Sequence, residues 1–190
     1  MSILNKVATT ALSGLAVLGF ASSAFAPVVA APREGSFEAH GALVEEIGRR
    51  GVRVLVNDES CADDGGGFAG YYSGVDRLIV ICQENGVAGG PMVAWTEEDL
   101  DTLRHEAQHF IQDCMVGERH DHLLGNVYVS PVELAREVIG DEAIVKIITV
   151  YRDHGANDHV LLLELEAFSV AALNVPLDQI RDLKNYCSFM

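Results

Sequence analysis

The chain has 190 residues, with 28 acidic against 13 basic side chains, a formal net charge of −15 and 49% hydrophobic residues. So acidic a surface repels phosphate backbones and anionic headgroups, which excludes nucleic-acid and membrane-surface binding as expectations. Without its N-terminal leader about 160 residues remain, enough for one domain with a real core and too few for two ordinary ones.

Residues 1–30 read as a secretory signal peptide. Lys6 and the amino terminus supply the positive end, Val7 to Phe20 is an apolar run, and Ser22-Ser23-Ala24-Phe25-Ala26 gives a small-residue exit. The run is short for a membrane span and no cationic flank follows, so no stable membrane anchoring is expected after cleavage between residues 24 and 30. Loss of Lys6 takes the net charge to −16 (−15 minus 1). Residues 31–190 are then one secreted or periplasmic domain. Its cysteines, Cys61, Cys82, Cys114 and Cys187, read as two disulfides, for which three pairings exist. In one of them Cys61 and Cys82 close the loop around a hairpin, and Cys114 pairs with Cys187. No Cys-x-x-Cys pair supports a cysteine metal site.

Phe37 to Arg50 places Phe37, Leu43, Val44 and Ile47 against charged neighbours and predicts a helix ended by Gly51. Val52 to Val56 alternates as a strand. A turn-rich acidic stretch follows, with Asp63-Asp64 and Gly65-Gly66-Gly67; it lacks the lysine of a phosphate-binding loop and reads as a plain loop. Tyr71-Tyr72 and Leu78 to Ile81 predict a hairpin across Ser73-Gly74-Val75-Asp76. An edge strand beside an active centre would let a peptide add to the sheet.

The next helix, over 96–114, organises the chain. Thr96 caps it and Asp99 closes the box, with Glu97 and Glu98 on the favourable end of the dipole. Leu100, Leu103, Ala107, Phe110, Ile111 and Cys114 form an apolar stripe, predicting a half-buried amphipathic helix. Beside that stripe runs His105-Glu106-Ala107-Gln108-His109. Histidines at i and i+4 lie on one helix face, so both imidazoles can meet one tetrahedral ion, and the intervening glutamate sits near without being a ligand. This is the His-Glu-x-x-His zinc pattern, in which the glutamate takes a proton from a metal-acidified water.

A third ligand has to come from downstream. The His-x-x-Gly-x-x-His extension is excluded, because Gln112 and Met115 stand at its glycine and histidine positions. His120 and His122 read as solvated loop residues. Ser130, Pro131 and Glu133 predict a helix start with a capping box. Asp141 to Tyr151 is a further helix, and Asp158 to Leu173 is expected as the last, carrying Glu164 and Glu166. Carboxylates in so apolar a helix need a partner, and two of them two residues apart point to different sides, so at most one faces a metal.

His105-Glu106-Ala107-Gln108-His109 followed by Glu164-Leu165-Glu166-Ala167 resembles the gluzincin arrangement of zincin metallopeptidases, of the membrane-associated and periplasmic type. Their second motif reads Glu-x-x-Ala-Asp, with the first glutamate as third ligand. The resemblance covers about ten residues. It implies one zinc ion on His105, His109 and Glu164, with Glu106 as general base and a peptide or protein as substrate. Ala167 matches the alanine, but Phe168 replaces the aspartate, which puts that residue's contact to a ligand histidine in doubt. Tyr151, His154 and His159 lie ahead of Glu164, and the sequence selects none of them as an oxyanion donor. The expectation is an α+β, zincin-like domain: a small antiparallel or mixed sheet, an active-site helix, then a mainly helical half. Its function is expected to be metal-dependent peptide-bond hydrolysis. The alternative is a non-catalytic secreted zinc-binding module; an intact Glu106 favours the enzyme, since a structural site needs no base.

Overall fold

Ser36 accepts a hydrogen bond from the Ala39 amide at 3.1 Å and starts α1, Phe37–Arg49, where the periodicity places it. Its apolar face, with Leu43 and Ile47, is fully buried. At its end Arg50 is buried against Glu46 by two hydrogen bonds of 2.8 and 3.0 Å, so the two charges enter the core together. The computed structural model describes residues 32–62, 69–117 and 124–187; the expected signal peptide, the triple glycine, His120 and His122 lie outside them.

The β-branched and aromatic runs form three strands, β1 Arg53–Val56, β2 Gly70–Ser73 and β3 Leu78–Ile81. They make one mixed sheet in the order β1-β3-β2. β1 runs parallel to β3 with Val54 opposite Ile79, and β2 pairs antiparallel with β3 with Tyr72 opposite Ile79, the predicted hairpin. The Cys61–Cys82 disulfide ties the turn after β1 to the end of β3.

Next comes α2, Glu97–Met115, with both halves of the expected Thr96/Asp99 capping box in place. Its apolar stripe packs with Leu43, Ile47, Ile79, Ile81 and Leu183 as the main core. The other face departs from expectation. α2 is enclosed on all sides, burying Thr102, Arg104, His105, Glu106, Gln108, His109, Gln112 and Asp113 as well. Those polar groups tolerate burial because partners from distant parts of the chain meet them: Arg104 donates to the Ala171 carbonyl and Asp113 accepts from Tyr72.

The helical half holds α3 Pro131–Val138, α4 Gly140–Asp153, α5 Asp158–Leu173 and α6 Pro176–Tyr186. Pro131 opens α3, but the expected capping box does not form. Ser130 has φ −131° and ψ 76°, outside the extended capping geometry, and its side chain makes no cap hydrogen bond. Sequence reading ended at α5 and missed α6. Asn174 terminates α5 in the left-handed region at φ 54°, and Pro176 restarts a helix, a stop and a start two residues apart. α6 matters because it carries Cys187 back to Cys114, so the second disulfide joins the end of α2 to the end of α6. A smaller apolar cluster of Ala135, Ile144 and Leu165 holds α3 and α4 on α5. The fold is thus α+β, with a small mixed sheet ahead of the motif helix. No described helix is long and apolar enough to cross a membrane.

Candidate metal centre

The capping box fixes where α2 begins; His105 and His109, one turn apart, then face Glu164 of α5, while Glu106 lies beside Gly70 of β2. β2 comes very close there. A Cβ on Gly70 would lie 2.7 Å from Thr102 Cγ2 and 3.5 Å from Glu106 Cγ, so only glycine lets the strand sit against this turn. Tyr72 then pins the strand by donating to Asp113 at 2.6 Å.

His105 Nε2 and His109 Nε2 face each other at 3.0 Å. Glu164, from the middle of α5, places one carboxylate oxygen 3.3 Å from His105 Nε2 and the other 3.5 Å from His109 Nε2. Ligand bonds of about 2.0–2.1 Å to a tetrahedral ion put neighbouring ligand atoms about 3.3–3.4 Å apart, and the two imidazole nitrogens and the carboxylate oxygen nearer to each lie close to that separation. The donor chemistry agrees. The two imidazole nitrogens share a single hydrogen between them, which a metal ion would replace. Although Glu164 Oε2 is within ion-pairing distance of His105, it is buried without a properly aligned hydrogen bond. Among the described residues His105, His109 and Glu164 are the one cluster of this kind that can hold a metal ion.

The electrostatics follow from the same enclosure. Burial penalises the charged form of His109, but its hydrogen bond to Glu164 and the charges of Glu164 and Glu106 outweigh that, raising its pKa to about 9. Burial pushes the Glu164 carboxyl up, while the two histidines overcome this and hold it well below the usual range. For Glu106 burial wins: its pKa is raised despite the opposing pull of His105 and His109, and it is only 6% exposed.

Glu166 is not a candidate ligand. It is wholly buried and accepts hydrogen bonds from Gln108, Gln112, Asn126 and the backbone amides of Val127 and Tyr128. Phe168, in place of the aspartate of the resemblance, packs its ring on His105 with centroids 4.4 Å apart, so packing orients that imidazole. Tyr151 is the candidate donor that reaches the centre. Its phenol pKa is raised by burial and by the charge and hydrogen bond of Glu164. His154 and His159 are exposed and bond to the Val150 and Leu124 carbonyls, away from the metal cluster. Sequence reasoning missed Gln108, Gln112 and Asn126. The available signal was Gln112 lying three residues after His109, on the same helix face. A cavity of about 390 Å³ lined by Ala69, Cys82, Glu84, Glu98 and Thr102 opens one helical turn before Glu106. No protein-family model, curated protein or solved structure matches the chain.

Proposed function

We propose that the protein is an exported, zincin-like zinc peptidase in which His105, His109 and Glu164 hold the ion. The observation carrying this reading is the convergence of those three side chains, one ligand atom of each within 4.8 Å of the others, with a buried fourth side chain, Glu106, beside them. A two-histidine, one-carboxylate set is a common catalytic zinc set. Bound there, zinc would polarise a scissile carbonyl and acidify the attacking water. Glu106 takes that water's proton and delivers it to the leaving amine; the burial that raises its proton affinity supports both transfers. Tyr151 is kept protonated by burial and by the Glu164 charge, and donates a hydrogen bond to the developing oxyanion. An extended substrate lies along β2, the sheet's outer strand next to α2, and the cavity beside Thr102 accepts one of its side chains. The two disulfides suit an oxidising compartment.

Glu106→Gln tests the reading. It should keep one zinc per chain and lower hydrolysis of an unfolded protein substrate by about 10²–10⁴-fold. Undiminished hydrolysis refutes the assignment. The near-complete burial of both histidines, 8% exposed each, favours a second reading, a zinc-holding module without catalysis. That module binds zinc without hydrolysing any unfolded substrate and without binding a chelating peptidase inhibitor.

A further inference from the structure

Gln112 is fully buried in α2, and its two ends face different chemistry. Its Nε2 has two acceptors, the Leu163 carbonyl at 3.1 Å and Glu166 Oε1 at 3.0 Å. Both are acceptors only, so the amide nitrogen has to point that way and Oε1 toward α2. Oε1 lies 2.8 Å from His109 Nδ1, which must therefore carry hydrogen and donate. With Nδ1 held as the donor to Gln112, Nε2 is the nitrogen left facing His105 and Glu164, the one that binds an ion once its proton is displaced. Glu166 fixes the far end. Among the described residues, each of its partners is an N–H donor: Gln108 at 2.9 Å, Gln112, Asn126, and the Val127 and Tyr128 amides at 3.0 and 2.9 Å. Toward all five Glu166 acts as the acceptor. His105 has nothing comparable: its Nδ1 is buried without a hydrogen-bond partner, and its ring is held by Phe168.

We infer that Gln112, anchored by Glu166, is the positioning residue of the metal centre, selecting the tautomer and ring orientation in which His109 presents Nε2 to the ion. This rests on the metal reading given above. The relay from carboxylate through amide to imidazole also makes His109 the more electron-rich of the two histidine ligands, because a hydrogen bond donated from the distal ring nitrogen strengthens the metal-facing one. It ties the ligand to the backbone at 127–128 as well, because the segment after α2 and the Gln112 amide share the Glu166 carboxylate.

The test compares zinc affinity, by chelator competition, in wild type, Gln112→Met and Gln108→Met. Gln108 donates to the same carboxylate but touches no metal ligand, so its loss reproduces the damage to Glu166 without the damage to His109. Gln112→Met should bind zinc about 10–100-fold more weakly, and its cobalt complex should show an altered visible spectrum. Gln108→Met should stay within about threefold of wild type. Equal affinity for wild type and Gln112→Met overturns the inference, and so does equal weakening in both variants. A second measurement needs no variant. In the zinc-loaded wild-type protein, the NMR signal of the His109 ring N–H, donated to Gln112, should resonate clearly downfield of the His105 ring N–H, which has no partner. Equal chemical shifts overturn the inference. A wild-type chain that takes up no zinc overturns the metal reading itself, a result distinct from these.

Discussion

Proton competition at His109 gives the most quantitative prediction. With its pKa near 9, His109 is protonated in the metal-free chain at pH 7, and an incoming ion has to displace that proton. Apparent affinity is reduced by a factor of about 10 for each pH unit below 9, hence about 100-fold at pH 7, or about 2.7 kcal/mol. Glu164, held well below the usual carboxylate range, is ionised throughout and adds no slope. Chelator-buffered zinc titrations from pH 6.5 to 8.5, with calorimetry in two buffers of different ionisation enthalpy, measure both slope and proton count. The expected result is a tenfold gain per unit and about one proton released from His109 at pH 7. The same linkage has an opposite face without metal. A histidine whose folded pKa exceeds the unfolded 6.5 stabilises the fold fully below pH 6.5 and loses that contribution as pH rises to about 9, a loss of about 3 kcal/mol. The metal-free protein should therefore weaken between pH 6.5 and 9 while the zinc form does not. A zinc affinity that stays flat between pH 7 and 8.5 would refute the reasoning.

Replacing the pair Cys114 and Cys187 by serine removes closure of a 73-residue separation and should cost about 4.4 kcal/mol, against about 3.3 kcal/mol for Cys61 and Cys82 with a separation of 21. Urea unfolding of the two double variants reads the difference, and the reverse order would contradict the loop-entropy account. His40 has its pKa lowered by burial and by Arg104, whose Nη1 lies 2.6 Å from its Nε2, against the Ser36 carbonyl that raises it. A histidine kept neutral by the fold gives stability present above pH 6.5 and lost as pH falls, so His40→Gln should flatten the acid limb of a stability curve; an unchanged limb counts against this. Tyr151→Phe should keep the zinc and lower kcat by about 10²–10³-fold with KM little changed, checked by steady-state hydrolysis of an unfolded protein. Gly70→Ala would put a methyl 2.5 Å from the Val80 carbonyl oxygen, so thermal unfolding should show a loss of about 1–3 kcal/mol.

What could be read in the sequence was local. The Thr96/Asp99 cap, the His105/His109 spacing, the Tyr71–Ile81 hairpin and the apolar stripe of α2 each depend on residues within one or two turns of one another, and each is present. Between Glu164 and Glu166 the residues alone left the choice open. Only tertiary packing decides it, by giving Glu166 five donors from α2 and from 126–128 and leaving Glu164 to the histidines. The full burial of α2 was unreadable for the same reason. A glutamine or arginine on a helix face looks solvent-facing until a partner such as the Leu163 or Ala171 carbonyl, more than 50 residues away, is brought to it. α6 was missed because only Pro176, Gln179 and Leu183 are buried in it, too sparse a stripe to announce a helix.

The Cys114–Cys187 bridge also has a consequence for timing during synthesis. Cys187 follows Cys114 by 73 residues, and Glu164 follows His109 by 55 (164 minus 109). At synthesis rates of about 5–20 residues per second, the histidine pair exists for several seconds before its third partner, and the strap on its helix arrives last. During that interval α2 has neither the covering of α5 nor the lock at its end. A nascent chain has at most the two histidines of the cluster in place, so an ion held by all three residues would be captured only late in maturation. An oxidant that acted early could close only the Cys61–Cys82 bridge correctly, so the order in which cysteines emerge itself favours the native pairing.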